Sequence, residues 1–291
     1  MKKIILIGMA IPYFIIAKPV KIDEILTQSG DFKLDTTISY SNIQRANGTT
    51  VKQVYQTNTG DFVSIPTYAG ESKSNQDYFN YDMTLRYGAT KDLELFLSAN
   101  MYHAKSHVSA LDTFDTQNSK GFNALNIGMT YQIKKEDETP SLLLGLSTGA
   151  YTKTKFENKT YDHHFKNYRF FATSFYTVDP VVFMVNASYG ANLEKSLDTH
   201  TKKDAGIMSV SPQVYFAVNP YTSLSAGVKY TYIGISKLDK KQVTQANSNL
   251  SLLVGMSYDF SSKMFLNVNA EFLNNSASTQ NTISTTLSYK F

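Results

Sequence analysis

The sequence predicts an all-β protein, a transmembrane antiparallel up-and-down β-barrel of about 12 strands behind a short N-terminal helix. Three observations lead there. Apolar residues recur at every second position from Asp31 to Phe291, the period of a strand whose side chains alternate between two faces. The connections between these runs alternate short and long, as in barrels with tight periplasmic turns and larger outer loops. Charged residues are only 18%, Tyr 20 and Phe 18, with a mean hydropathy of −0.26. That value excludes a bundle of membrane helices but suits strands that are half polar. Cys 0 removes disulfide, thiolate-metal and cysteine chemistry, and a net charge of +4 makes no electrostatic case for nucleic acid.

The N-terminus reads as an address. Met1-Lys2-Lys3 is a positive start, and Ile4 to Ala17 carries no charge. That run is too short for a spanning helix, which needs about 20 residues, and fits a secretory signal over residues 1–17. Residues 18–30 follow as an expected helix. Pro19 opens it, Asp23 and Glu24 suit its first turn, and Gly30 suits its end. Ile22, Ile25 and Leu26 share one helical face. A helix this short needs something to dock on.

Residues 31–291 are expected to form the barrel. Twelve segments alternate: 31–43, 77–88, 92–104, 121–133, 141–153, 166–178, 181–193, 205–218, 223–236, 246–260, 264–274 and 281–291. Each is about the 9–11 residues a tilted strand needs to cross a bilayer. Short links such as Ala89-Thr90-Lys91 and Asp179-Pro180 alternate with long polar ones at 44–76, 105–120, 154–165, 194–204 and 237–245. An even count puts both termini in the periplasm. Within 44–76, Val51 to Gln56 and Asp61 to Ile65 read as two further strands, an alternative of 14. Pro212 falls inside a segment and is expected at a bulge, since proline cannot donate to the ladder. A soluble β-sandwich would alternate too, but the signal and the loop rhythm favour the barrel.

Along these segments Tyr40, Tyr87, Tyr131, Tyr189, Tyr232, Tyr258 and Phe260 stand near the run ends of the apolar face, as an aromatic girdle would. The opposite face places Lys33, Arg86, Arg169, Lys229 and Lys290 with Asp35, Asp82, Glu94, Asp259 and Glu271 toward the lumen. Equal numbers of each sign are expected to pair across strands rather than form a charge-selective ring. The seven glycines Gly88, Gly128, Gly145, Gly149, Gly190, Gly227 and Gly255 also fall on the lumen face and mark where another backbone comes close.

Two motifs are discounted. Gly145-Leu146-Ser147-Thr148-Gly149 matches G-x-S-x-G but sits inside an alternating run, without the strand-to-helix turn of a nucleophile elbow. Asp162-His163-His164 lies in an outer loop without identifiable partners. No enzyme, metal or cofactor is expected.

A resemblance adds to this reading. The stub ending in Gly30, the first strand from Phe32 to Tyr40-Ser41, and the turn Tyr87-Gly88-Ala89-Thr90-Lys91-Asp92-Leu93-Glu94-Leu95 resemble the outer-membrane barrels of the phenol-degradation (MetA-pathway) transporter group. That group is similar to the twelve-stranded channels that secrete functional-amyloid subunits. Tyr289-Lys290-Phe291 resembles the C-terminal signal read by the barrel-assembly machinery. The resemblance implies a Gram-negative outer-membrane channel, with the N-terminal helix as a plug inside the barrel. Ile22, Asp23, Glu24, Ile25 and Leu26 would be the plug contacts. The expected partners are the lipid bilayer, the assembly machinery through Phe291, and a second copy of the chain. The rival reading is a surface barrel, an adhesin or receptor, whose outer loops bind a partner.

Overall fold

The computed structural model describes residues 25–45, 54–65, 73–110, 113–156, 159–275 and 278–291. The expected signal 1–17 and residues 18–24 lie outside them, Ile22, Asp23 and Glu24 included.

The barrel strands are β1 (Phe32–Arg45), β2 (Lys73–Gly88), β3 (Leu93–Ala110), β4 (Thr113–Lys134), β5 (Ser141–Phe156), β6 (Asn167–Val178), β7 (Val181–Asn192), β8 (Ile207–Asn219), β9 (Thr222–Ile233), β10 (Asn247–Asp259), β11 (Met264–Asn274) and β12 (Ser278–Lys290). Each pairs antiparallel with its neighbours in sequence, and β1 closes the ring on β12 from Lys33↔Lys290 to Arg45↔Ser278. Closure leaves no open edge in lipid.

The alternation follows from this ring. Along β2, Phe79, Tyr81, Met83, Leu85 and Tyr87 face outward, whereas Tyr78, Asn80, Asp82 and Thr84 are buried inside. Phe32, Tyr87, Tyr131, Tyr258 and Tyr289 are exposed near the turn end of the wall, and Tyr40, Phe79, Tyr189 and Tyr232 near the loop end. Rings pair at both levels, Phe32 with Tyr87 and Tyr40 with Phe79, centroids 4.7 and 5.0 Å apart. An exposed apolar belt between two aromatic rings is what a bilayer demands of a barrel. Leu97→Arg and Leu252→Arg, both outward, are each expected to cost about 2–4 kcal/mol. Asn269→Arg, facing the lumen, should cost little. Heat-resistant folded bands on unboiled gels would measure the difference.

Three expectations are corrected. Pro212 does not sit at a bulge: the β8–β9 register is the same on both sides of it, with Ser211 and Pro212 themselves left out of the ladder. The register shift in that pair lies at Ala217/Asn219. The Pro212 carbonyl instead lies against Gly227, where a Cβ would clash with it. The span 105–120 is not a loop for most of its length, because β3 and β4 stay paired from Lys105↔Asn118 to Ala110↔Thr113. Hydrophobic alternation stops where lipid stops, but the hydrogen-bond ladder continues. Lastly, Val54–Gln56 and Phe62–Ser64 are strands but not staves of the wall. They pair only with each other, so the barrel has 12 strands and not 14.

Candidate functional site: an occupied lumen

The Val54–Ser64 hairpin is folded into the barrel. Its sequence explains its shape. Two short apolar runs flank Asn58-Thr59-Gly60-Asp61, and Gly60 takes φ +76°, a conformation glycine adopts without strain. The turn holds itself: Gly60 N–H donates to the Thr57 carbonyl at 2.7 Å, Asp61 N–H to Thr57 Oγ1 at 3.0 Å, and Thr59 Oγ1 to Asp61 Oδ2 at 2.7 Å.

The two faces of the hairpin touch opposite walls. Tyr55 and Val63, paired across it, join Ile65 in packing on Ile43 of β1, Tyr78 of β2 and Ala104 of β3. Val54 and Phe62 pack on Ile207 of β8 and Ile233 of β9. Polar bonds fix the depth. Tyr55 Oη and Ser39 Oγ share a hydrogen bond of 2.7 Å. Asn58 Nδ2 donates to Thr286 Oγ1 at 2.8 Å and also contacts Thr37 Oγ1, so the tip reaches the middle of the β1–β12 pair. On the far side Asp61 Oδ1 accepts from Arg169 Nε at 2.9 Å and from Ser147 Oγ at 2.6 Å. Arg169 is almost fully buried, with its guanidinium 4.1 Å from the Phe171 ring centroid. Ser147, the serine of the discounted G-x-S-x-G, is thus an anchor for the hairpin. Asp162, His163 and His164 are not gathered into a site: Asp162 accepts from Tyr151 Oη at 2.8 Å, and His164 Nδ1 bonds the Ala150 carbonyl at 2.9 Å.

A second insertion closes toward the periplasmic end. The helix expected over 18–30 does not extend through its last residues: Ile25–Gly30 form a bend and turn, and Ser29 makes a parallel bridge with Gly88. Thr27 donates its N–H and its Oγ1 to Glu94 Oε2 at 2.8 and 2.7 Å. Ile25 and Leu26 then reach across to Leu143, Phe175 and Val182 on β5, β6 and β7. The dry surface under them is this lumen-facing apolar patch, which breaks the polar face, and not the wall of glycines expected. Among the seven glycines only Gly88 serves the stub: a Cβ there would strike the Gln28 and Thr27 carbonyls. Others make room for side chains, Gly145 for the Phe171 ring, Gly128 for Phe96, Gly190 for Phe62 of the hairpin. Gly88→Ala is therefore expected to dislodge Ile25–Ser29 while the barrel stays folded. Limited proteolysis near residue 27 would report it, with cleavage in the variant and protection in the parent.

The charges of the lumen are mostly paired. Arg86 bridges Asp35 at 2.6 Å and Glu94 at 2.8 Å, and Lys33 is buried beside them. Lys229 pairs with Glu271 at 2.5 Å. Asp82 has no cation in ion-pair range among the described residues but accepts from Asn100 Nδ2 at 2.6 Å and from Asn80. Asp23 and Glu24, expected among the plug contacts, lie outside the described residues; among those described, Arg86, Arg169 and Lys229 are held by wall and hairpin carboxylates. The carboxylate that sequence reasoning missed is Asp61, because nothing in a loop marks a residue as lumenal.

Among the described residues the lumen encloses a cavity of about 890 Å³. Its upper end is the hairpin tip from Tyr55 to Gly60, and it runs down to the turn residues Asn219, Pro220, Tyr221, Ser261 and Ser262. Lys33, Asp35, Arg86, Glu94, Arg169, Lys229, Asp259 and Glu271 line it. Serine, threonine and asparagine from β10 to β12 form one wall, and Phe96, Phe171, Met184 and Tyr215 stand on the other.

No family model matches the chain, and no curated protein matches it in sequence. Solved structures are similar in fold. The COG4313 outer membrane channel from Pseudomonas putida F1 is 13% identical and matches with a TM-score of 0.67, over 91% of this chain and 97% of that one. The transport unit of the autotransporter AIDA-I from Escherichia coli matches with a TM-score of 0.53 at 9% identity, over 90% of each chain. The translocator domain of the autotransporter NalP from Neisseria meningitidis matches at 0.51 and 8% identity, over 92% of this chain and 91% of that one. At these identities the likeness is one of fold, and the fold is the closed barrel of outer-membrane proteins.

Proposed function

We propose that the protein is a channel of the Gram-negative outer membrane whose resting lumen is closed by the Val54–Ser64 hairpin, with the N-terminal stub as a second barrier at the periplasmic mouth. The observation that carries this reading is the cavity that runs up from the periplasmic turns and stops at the hairpin tip. A barrel of 12 strands is wider than the eight-stranded kind that side chains fill unaided. Here an inserted segment does the filling, and it meets the wall through two small apolar clusters and a few polar bonds rather than through the ladder. Such a segment can leave without unzipping a strand. Opening is then an order–disorder change of one loop.

The lining favours a small uncharged solute. Arg86, Arg169 and Lys229 are each paired, so the lumen offers no ring of one sign. The resemblance of the Tyr87–Leu95 turn to phenol-degradation transporters agrees with a channel. The adhesin or receptor reading gains from the paired β3–β4 extension beyond the apolar belt, and bilayer conductance separates the two. A barrel whose only task is display would stay silent even with its hairpin removed. In the open channel Arg169 loses Asp61, so reversal potentials in a salt gradient should show a mild anion preference. A strong cation preference would contradict the pairing described here.

A further inference from the structure

Beyond the lumen, the loop end of the barrel carries a small sheet of its own. Lys195–Leu197, His200–Lys203, Lys237–Leu238 and Lys241–Gln242 pair side by side between β7 and β8 and between β9 and β10. Its rungs bring lysines together. On one rung Lys195 stands opposite Lys202, and Asp204 bridges them at 3.0 and 3.3 Å. On the next rung Lys203 stands directly opposite Lys237, both exposed, with no carboxylate of the described residues in ion-pair range of either. The aspartates nearby are engaged elsewhere. Asp198 holds Lys159 at 3.2 Å, and Asp204 holds the first rung. Asp239 accepts from Thr201 N–H at 2.8 Å and from His200 Nδ1 at 2.6 Å. The Thr201 N–H, then His200, keep the Asp239 carboxyl below the usual range, so it stays ionised and committed to those donors. Lys240 and Lys241, also exposed, carry two further positives in the turn that follows Leu238.

Like charges directly opposite in an antiparallel pair repel, with Cβ atoms only about 4.5–5.5 Å apart. The first rung shows what relieves this, an anion between the two ammonium groups. We propose that the Lys203–Lys237 rung binds a phosphate of a phosphorylated lipid in the outer leaflet. The chain itself argues for lipid over free phosphate. Ile235, two residues before Lys237, and Val243, next to the Gln242 that pairs with Lys237, are both exposed, so apolar side chains stand beside the positive pair. A headgroup phosphate joined to acyl chains matches both parts. Free phosphate matches only one.

This inference rests on the outer-membrane placement but not on the channel reading. The test uses the full barrel in neutral detergent, its fold checked by heat-resistant migration. Binding of diphosphorylated lipid A is followed by native mass spectrometry, with inorganic phosphate as the second probe. Lys203→Gln/Lys237→Gln is expected to bind lipid A about thirtyfold more weakly than the parent, each lysine near a lipid surface counting about equally. Lys105→Gln/Lys120→Gln, outside the small sheet, should bind as the parent does. Equal lipid binding by parent and rung variant would overturn the proposal. So would inorganic phosphate that competes off the lipid at equal concentration, since that would be a free-anion site. Conductance is not read, so failure here leaves the channel proposal untouched.

Discussion

Replacing residues 54–64 with a flexible Gly-Ser linker of equal length is expected to turn a nearly silent barrel into one that conducts steadily in planar bilayers. The hairpin spans the lumen from the β1–β3 wall to the β8–β9 wall, and the cavity below ends on its tip. None of its backbone pairs with a barrel strand, so the wall should assemble without it. Removing the stub as well, by deleting Val20 to Ser29, should raise the current further. Deleting the stub alone should change little, because the hairpin still blocks the passage above it. If the linker variant folds, migrates as a heat-resistant barrel and stays silent, the hairpin is not the barrier.

The second large effect concerns the latch between Asp61 and Arg169. Asp61→Ala leaves Arg169 buried and unpaired in the closed state. Breaking one side of a buried pair typically costs about 3–5 kcal/mol, and each 1.4 kcal/mol is tenfold in an equilibrium. The open fraction should then rise by more than ~100-fold, up to saturation. In Asp61→Ala/Arg169→Leu both charges are gone, and an apolar side chain beside the Phe171 ring is tolerable. Replacing a buried pair by apolar groups is often neutral, so the double variant should return most of the way to silence. Single-channel recording of the parent, the single variants and the double variant forms the cycle. Additive effects of the two substitutions would mean that the pair does not hold the hairpin.

How much of this was legible in the sequence depends on which solvent each residue faces. Lipid imposes one polarity on the outside of the wall, and so the runs around Phe79–Tyr87, Leu93–Met101 and Leu250–Tyr258 could be placed within a few residues. Above the belt the rule lapses. Lys105–Ala110 and Thr113–Lys120 lack the apolar alternation, and their strand character is carried by the ladder alone. The lumen imposes no single polarity either. Leu143, Phe171 and Phe175 face inward, where an inserted segment supplies dry contact to Leu143 and Phe175 and the Gly145 backbone makes room for the Phe171 ring. Val54–Ser64 carries strand-like alternation and an Asn-Thr-Gly-Asp turn, so its hairpin was legible. Its location was not, because two extra strands in the wall satisfy the same pattern. Alternation along the wall puts Arg86, Lys229 and the carboxylates they meet on one face. It could not supply Asp61 to Arg169, since that partner lies 108 positions away, in a loop.

The hairpin tip rests inside the barrel against β1 and β12. The chain has Cys 0, so an engineered pair of thiols has no competitor. Asn58→Cys/Thr286→Cys replaces a contact now made at 2.8 Å between Asn58 Nδ2 and Thr286 Oγ1. Oxidation of intact outer membranes, followed by denaturing gels with and without reductant, reads the result directly. We expect a reductant-sensitive shift from an internal cross-link between the two substituted positions. In the single variant Asn58→Cys we expect the introduced thiol to be protected from a membrane-impermeant maleimide added to whole cells. No cross-link, with rapid labelling of that thiol from outside, would place the hairpin among the surface loops and contradict the account.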